Sequence, residues 1–299
     1  MYDIIIVGAG PAGMTAALYG LRANKKVLLI EKKCYGGQII NASVIENYPG
    51  IEQITGFDYA TNLYKQIMKL GVSFKNETVL KIKENRVYTD KNEYDTKSII
   101  IATGCENKRL NINNEEKFIG AGISYCATCD GNFYKGKTVA VVGGGNTALE
   151  DAIYLSNIAE NIYLIHRRDI FRGENKLLDE LKTKNNVQII KNTSIIELLG
   201  TNKLTGIQID TVGTKYTIDL DGLFIAVGQE PKSEVFSDIL NIDNNGYIIS
   251  EDGVHTNCSG IYVAGDVRQK DLRQLTTAIA DGALAATTAI KEMEGEKNG

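Results

Sequence analysis

One pattern occurs twice in this chain, and it narrows the available folds more than any other feature. In the first copy an apolar run, Ile4-Ile5-Ile6-Val7, meets Gly8-Ala9-Gly10-Pro11-Ala12-Gly13. A helical stretch from Met14 to Arg22 follows, then a second strand, Val27-Leu28-Leu29-Ile30, ending at Glu31. In the second copy the strand is Thr138-Val139-Ala140-Val141-Val142 and the turn Gly143-Gly144-Gly145-Asn146-Thr147-Ala148. Its helix runs from Leu149 to Ser156 and its second strand is Ile162-Tyr163-Leu164-Ile165. A glycine turn set between a buried strand and a helix is the dinucleotide-binding fingerprint. Gly8 allows the tight turn, Gly10 lets a pyrophosphate approach the backbone, and Gly13 lets helix and strand pack. The helix N-terminus then faces the phosphates with its partial positive charge.

The two copies differ where ribose chemistry is decided. Glu31 lies eighteen positions past Gly13, and His166 lies eighteen past Ala148. The second copy therefore carries His166-Arg167-Arg168 where the first has an acid. A carboxylate accepts hydrogen bonds from ribose hydroxyls and repels a 2′-phosphate. Arginine does the reverse, because its planar fork matches phosphate oxygens. Arg172 adds a third cation if residues 168–172 are helical. The second site is expected to prefer NADPH to NADH; a solvated basic surface is the plainer alternative, and His166 alone proves nothing.

Between the copies lies Cys126-Ala127-Thr128-Cys129-Asp130. A Cys-x-x-Cys pair reads as redox-active or metal-binding. A structural zinc site needs four ligands. The chain has no second such pair, and His166 and His255 are its only histidines, so no metal is expected. Five cysteines scattered widely do not form a secreted disulfide framework. Cys34, Cys105 and Cys258 read as small buried or loop residues. Asp130, beside the pair, can protonate a leaving thiolate if burial raises its pKa; otherwise it is a helix cap or turn acid.

The remaining composition excludes other classes. A net charge of -4 disfavours general nucleic-acid binding. No apolar run reaches membrane-spanning length, and the chain opens directly into a strand with no export signal. The expected location is the cytoplasm. The polar tail Glu292 to Gly299 is expected to fray. Further strands are expected at Lys97–Ala102, Gly222–Val227 and Gly260–Ala264, with a helix from Leu275 to Met293. The first copy starts the chain and the second sits in its middle. The expected class is α/β, with two Rossmann-like nucleotide-binding domains, the second inserted into a discontinuous first. The segments expected are 1–110, 111–232 and 233–299.

Over nearly its full length the chain resembles the low-molecular-weight thioredoxin reductases. The resemblance rests on the two glycine turns, Gly36-Gly37-Gln38, Glu46-Asn47-Tyr48-Pro49-Gly50, Ala102-Thr103-Gly104, the Cys126 to Asp130 motif, His166 to Arg172, Gly265-Asp266 and Arg273-Gln274. It implies a flavoprotein that passes electrons from NADPH through FAD and a Cys126–Cys129 disulfide to thioredoxin, and a homodimer. The first domain would hold FAD through Gly8, Gly10, Pro11, Ala12, Gly13, Glu31, Gly36, Gly37, Gln38, Asn47 and Gly104. Asp266 would contact the ribityl and phosphate region, with Arg273 and Gln274 close to the flavin ring. NADPH would lie on Gly143, Gly145, Asn146, Thr147, Ala148, His166, Arg167, Arg168 and Arg172. Asn47 and Gln274 also read as ordinary loop or helix-end residues.

The same resemblance puts Cys129 next to the flavin and frees Cys126 for exchange; the residues alone leave the order open. One flavin must serve both nicotinamide and disulfide, so the inserted domain is expected to rotate about its two crossings. A related disulfide reductase with another partner is the alternative. A redox sensor signalling through conformation is a second alternative, of another class.

Overall fold

Strand β1 (Tyr2–Val7) carries four consecutive buried residues, Ile4 to Val7. A run apolar on both faces suits an interior parallel strand. The computed structural model describes residues 1–42 and 44–295. After β1 come α1 (Pro11–Arg22), β2 (Val27–Glu31), α2 (Gly56–Lys69) and β3 (Ser73–Asn76). Then follow β4 (Val79–Lys83), β5 (Arg86–Thr89) and β6 (Glu93–Ile101). β1 lies between β2 and β6, parallel to both; β3 extends the sheet past β2, and β5 and β4 extend it antiparallel past β6. The strand period of two sorts the apolar side chains. Ile4 and Ile6 join Met14, Ala16 and Ala17 of α1, while Ile5 and Val7 join Val79, Ile82 and Val87. Each fully buried isoleucine contributes roughly 1.5–3 kcal/mol.

Helix α1 begins at Pro11, three residues before the expected Met14. Gly10 is its N-cap, and a proline in the first turn lacks only an N–H that has no helical acceptor.

β7 (Cys105–Asn107) leads into the second unit, Asn107–Gln229. The first unit comprises the chain up to Glu106 and again from Glu230. The second unit contains α3 (Glu115–Phe118), β8 (Ile123–Ser124), α4 (Ala127–Asp130), β9 (Thr138–Gly143), α5 (Asn146–Ser156) and β10 (Asn161–Ile165). It continues with α6 (Asn175–Lys182), β11 (Val187–Ile190), β12 (Thr193–Gly200), β13 (Leu204–Thr211), β14 (Thr214–Asp219) and β15 (Gly222–Ala226). The parallel sheet has the order β11-β10-β9-β15-β8. On one face Val139, Val141 and Leu164 pack with Leu149, Ala152 and Leu155 of α5. On the other, Ala140, Val142 and Ile165 pack with Ile195, Ile207 and Ile209 of the antiparallel meander β12-β13-β14.

At the second crossing β16 (Gln229–Pro231) pairs with β7, and in the first unit β17 (Ile261–Val263) runs parallel to β6 and α7 (Leu275–Gly295) packs along α1. Small residues let the two helices approach closely: Ala278, Ala285, Ala286 and Ala289 share a core with Ala12, Ala16 and Ala17. The expected fraying does not begin at Glu292. That residue is helical, and its carboxylate binds both His255 and Tyr262; residues 296–299 lie outside those described.

Candidate functional site

In the first unit the carboxyl ends of three parallel strands coincide. Val7 is in register with Ile101, and Ile101 with Val263. The segments that leave them are Gly8–Gly13, Ala102–Gly104 and Gly265–Asp266. This edge is where open α/β sheets bind ligands. Gly8 has φ of +105°, which favours glycine. A Cβ at Gly13 would lie 1.8 Å from Gly8 O, so helix and turn touch there. A Cβ at Gly10 would meet nothing within 4 Å. No side chain caps α1. Its first-turn N–H groups and the open face of Gly10 therefore suit a diphosphate.

Glu31 stands at the end of the neighbouring strand. Its Oε2 accepts the Ala9 N–H and its Oε1 the Lys33 N–H, both at 2.9 Å, so backbone donors orient the carboxylate. Gly36 donates its N–H to Ala9 O at 2.8 Å. This ties the 3₁₀ turn Gly37–Asn41, carrying exposed Gln38, to the glycine turn.

Asn47 and Gln274, far apart in sequence, meet: the Asn47 amide donates to Gln274 Oε1 at 3.1 Å. Arg273 donates to Asp266 O at 3.3 Å and to Arg268 O at 3.2 Å, and its guanidinium lies 3.9 Å from the Tyr247 ring centroid. These contacts fit FAD, with the diphosphate on α1 and the Arg273-Gln274 segment held rigidly nearby.

The second turn repeats the construction with different chemistry. Gly145 is the uncapped N-cap of α5, and a Cβ there would meet nothing within 4 Å. A Cβ at Gly144 would lie 2.1 Å from the His166 ring. That ring is buried, stacks on Phe171 at 4.6 Å, and has Nε2 3.1 Å from Ile170 O. His166 thus packs beneath the turn rather than facing solvent.

The segment after it is irregular, not the helical turn considered above, because its backbone bonds to the glycine turn instead. Arg172 and Gly173 donate N–H groups to Gly144 O at 2.7 and 3.1 Å, and Glu174 N–H donates to Asn146 Oδ1 at 2.8 Å. Arg167, Arg168 and Arg172 are exposed, with no ion-pair partner among the described residues. Three unpaired guanidiniums beside an open helix N-terminus fit a nucleotide carrying an extra phosphate.

The sulfurs lie in this same unit. Cys126 and Cys129 form a disulfide with their Cα atoms 5.3 Å apart. Cys126 is the N-cap of α4, and Asp130 ends that helix. Ser124 Oγ donates to Asp130 Oδ2 at 2.6 Å and accepts the Cys126 N–H at 3.1 Å. Burial pushes the Asp130 carboxyl above its usual range, with the Ser124 hydrogen bond opposing. Asp130 is thereby suited to hold a proton beside the sulfurs. The other cysteines lie elsewhere: Cys34 is exposed, Cys258 donates to Ile239 O, and burial pushes the Cys105 thiol up to about 12. Among the described residues no group of His, Cys, Asp and Glu is placed to hold a metal ion.

Residues 2–282 match the model of the pyridine nucleotide-disulphide oxidoreductase family. The chain belongs to this family. The chain is 42% identical to the "34.2 kDa protein in rubredoxin operon" of Clostridium pasteurianum, with 98% of each chain covered. It is also 42% identical to a thioredoxin reductase of Mycoplasma genitalium, covering 95% of this chain and 93% of the relative. The solved thioredoxin reductase of Streptococcus pyogenes superposes with a TM-score of 0.94 at 39% identity, covering 99% of both chains.

Three neighbours of candidate site residues in this pyridine nucleotide-disulphide oxidoreductase escaped the sequence. Ser124, Tyr247 and Lys270 sit in unremarkable local contexts, and only folding brings them to Asp130, Arg273 and Asp266. No spacing signal marks Ser124 or Tyr247, and Lys270 stands four residues past Asp266 in a loop, where that spacing does not by itself imply contact.

Proposed function

We propose that this protein is an NADPH-dependent thioredoxin reductase. The observation that carries the reading is a Cys126–Cys129 disulfide in the same unit as a glycine turn bordered by three unpaired arginines. The chain up to Glu106 and from Glu230 holds FAD; Asn107–Gln229 holds NADPH and carries the disulfide. When bound, FAD supplies the conversion of a two-electron hydride donor into a reductant for sulfur.

The remaining chemistry belongs to this chain. Arg167, Arg168 and Arg172 engage the 2′-phosphate and select NADPH, while His166 positions their segment against Gly144. Glu31 engages the adenosine ribose of FAD. Reduction of the disulfide takes up two electrons, and Asp130 gives its proton to the departing Cys126 sulfur. Cys126 returns that proton to Asp130 and, as the thiolate, attacks a sulfur of oxidised thioredoxin, forming a mixed disulfide and releasing one partner thiolate. Attack by Cys129 on Cys126 frees the second thiolate and restores the internal disulfide. The two partner thiolates take up protons to end as thiols.

No described helix is long and apolar enough to cross a membrane. A homodimer is the assembly the family resemblance supports, and the cytoplasm is the location proposed for it.

Anaerobic titration of the purified holoprotein with NADPH and NADH, followed by thioredoxin, tests this reading. Uptake of two two-electron equivalents, preference for NADPH and reoxidation by thioredoxin are expected. Colourless protein that refuses FAD, or one equivalent only, would overturn it.

A further inference from the structure

Four charged side chains cluster beside the amino-terminal glycine turn, and the reading of that turn as an FAD site accounts for Asp266 but not for the other three, Arg268, Lys270 and Asp281. Arg268 grips Asp281 with two parallel hydrogen bonds, Nε to Oδ2 and Nη2 to Oδ1, each at 2.9 Å. Lys270 Nζ donates to Asp281 Oδ2 at 3.0 Å and lies 3.1 Å from Asp266 Oδ1. The Gly265 N–H also donates to Asp281 Oδ2, at 3.1 Å. The side chains of Lys270 and Asp281 are only 6% and 8% exposed. An ammonium this buried is sustained by matched anions. Here two cations face two carboxylates, and the cluster is neutral.

Its location gives the arrangement a purpose. A Cβ at Gly282 would lie 2.1 Å from Ala12 O, and one at Gly265 2.8 Å from the Ala12 Cβ. The backbone next to Asp281 and Asp266 is therefore pressed against the first turn of α1, the turn whose N–H groups face the open space of Gly10. A bare carboxylate at Asp266 would repel a diphosphate seated there. Asp266 Oδ1 is buried and turned toward Lys270 without hydrogen-bond alignment. The 32% exposure of the side chain lies on its other atoms.

We infer that Lys270 is a positioning residue for the flavin nucleotide. Anchored on Asp281, it neutralises Asp266 and holds one carboxylate oxygen inward. The other oxygen is left to accept a hydrogen bond from a ribityl hydroxyl without electrostatic conflict with the diphosphate. This inference rests on the FAD reading of the first unit.

The test is FAD release from the holoenzyme on dilution, followed by the rise in flavin fluorescence, with far-UV circular dichroism as a check on folding. Lys270→Met leaves the cluster with one unmatched negative charge and should release FAD about 30-fold faster or more, as expected when one partner of a buried charge pair is removed. Lys270→Arg should stay close to wild type. The double variant Asp266→Asn with Lys270→Met restores neutrality and should recover most of the loss, which a purely structural lysine would not predict. If Lys270→Met does not fold, Lys270→Gln with and without Asp266→Asn gives the same comparison. A folded Lys270→Met that keeps FAD like wild type, or a double variant that releases it as fast as the single, overturns the inference alone. A wild-type protein that binds no FAD overturns the FAD reading and the inference together.

Discussion

The side-chain amide of Asn47 donates to Gln274 Oε1 at 3.1 Å across 227 residues of sequence. The contact joins the loop after the first βαβ segment to the residue preceding α7. Both residues belong to the proposed flavin site, and a double-mutant cycle tests whether they act together. Asn47→Ala and Gln274→Ala should each speed FAD release and alter the flavin absorption band. The pair should show a coupling of about 0.5–1.5 kcal/mol, the usual worth of one hydrogen bond. Strictly additive effects would disprove joint action.

Asp130 sets a pH dependence. Burial raises its pKa and the Ser124 hydrogen bond opposes that rise. The protonated form donates to the departing Cys126 sulfur, so reduction of the disulfide should slow as pH rises through this pKa. Ser124→Ala removes the opposing bond and should move that limb to higher pH. Asp130→Asn should slow the dithiol step about 100-fold, the lower range for a lost general acid. Stopped-flow reduction of the holoprotein by NADPH between acid and alkaline pH, followed at the flavin band, measures both; a limb unmoved by Ser124→Ala contradicts the assignment.

The arginine segment should discriminate between nucleotides. Each charge-assisted bond to a 2′-phosphate is worth about 1.5–3 kcal/mol, so Arg167→Ala or Arg168→Ala should raise the KM for NADPH roughly 10- to 100-fold. The KM for NADH should barely change. Equal losses for the two nucleotides would place these side chains elsewhere.

Two glycines in one turn should behave oppositely. Gly13→Ala sets a methyl 1.8 Å from Gly8 O and should destabilise the fold. Gly10→Ala meets nothing within 4 Å and has an ordinary negative φ, so thermal stability should change by under about 1 kcal/mol. Gly10→Ala should nonetheless lose FAD, because its methyl occupies the space left for the diphosphate. Thermal melts and flavin content of the two variants decide this, and Gly10→Ala retaining full flavin would refute it.

His255 ties α7 to the strand region. Its Nδ1 meets Asp252, its Nε2 lies 2.5 Å from Glu292 Oε1, and Tyr262 OH donates to Glu292 Oε2 at 2.6 Å. The Glu292 contact and then Asp252 raise the histidine's pKa. A raised histidine pKa means stability fully present below the unfolded value, near 6.5, and lost as pH rises through the folded value. The side chain is substantially exposed, so the gain is screened to about 1 kcal/mol or less. Hydrogen exchange at the end of α7 should quicken as pH rises through this range, beyond its intrinsic dependence, and His255→Gln should flatten that added response.

Some features could be read along the chain because they are local. A glycine turn between a strand and a helix needs only consecutive residues, so both nucleotide turns, Glu31 and the Cys126–Cys129 pair were legible directly. Neutralising partners of charges are set by neighbours in space. Lys270 and Asp281, in a loop and a helix, read as solvated charges until α7 is folded back onto α1. Ser124 is an ordinary strand residue until the short helix Ala127–Asp130 turns Asp130 toward it. The segment after His166 lost its helical option because Gly144 O accepts two of its N–H groups. Backbone geometry that rests on consecutive residues, as in the two glycine turns, was therefore determined by sequence alone. Which polar groups face one another under burial was decided only by tertiary structure, because charges and hydrogen bonds act through space and are indifferent to chain order.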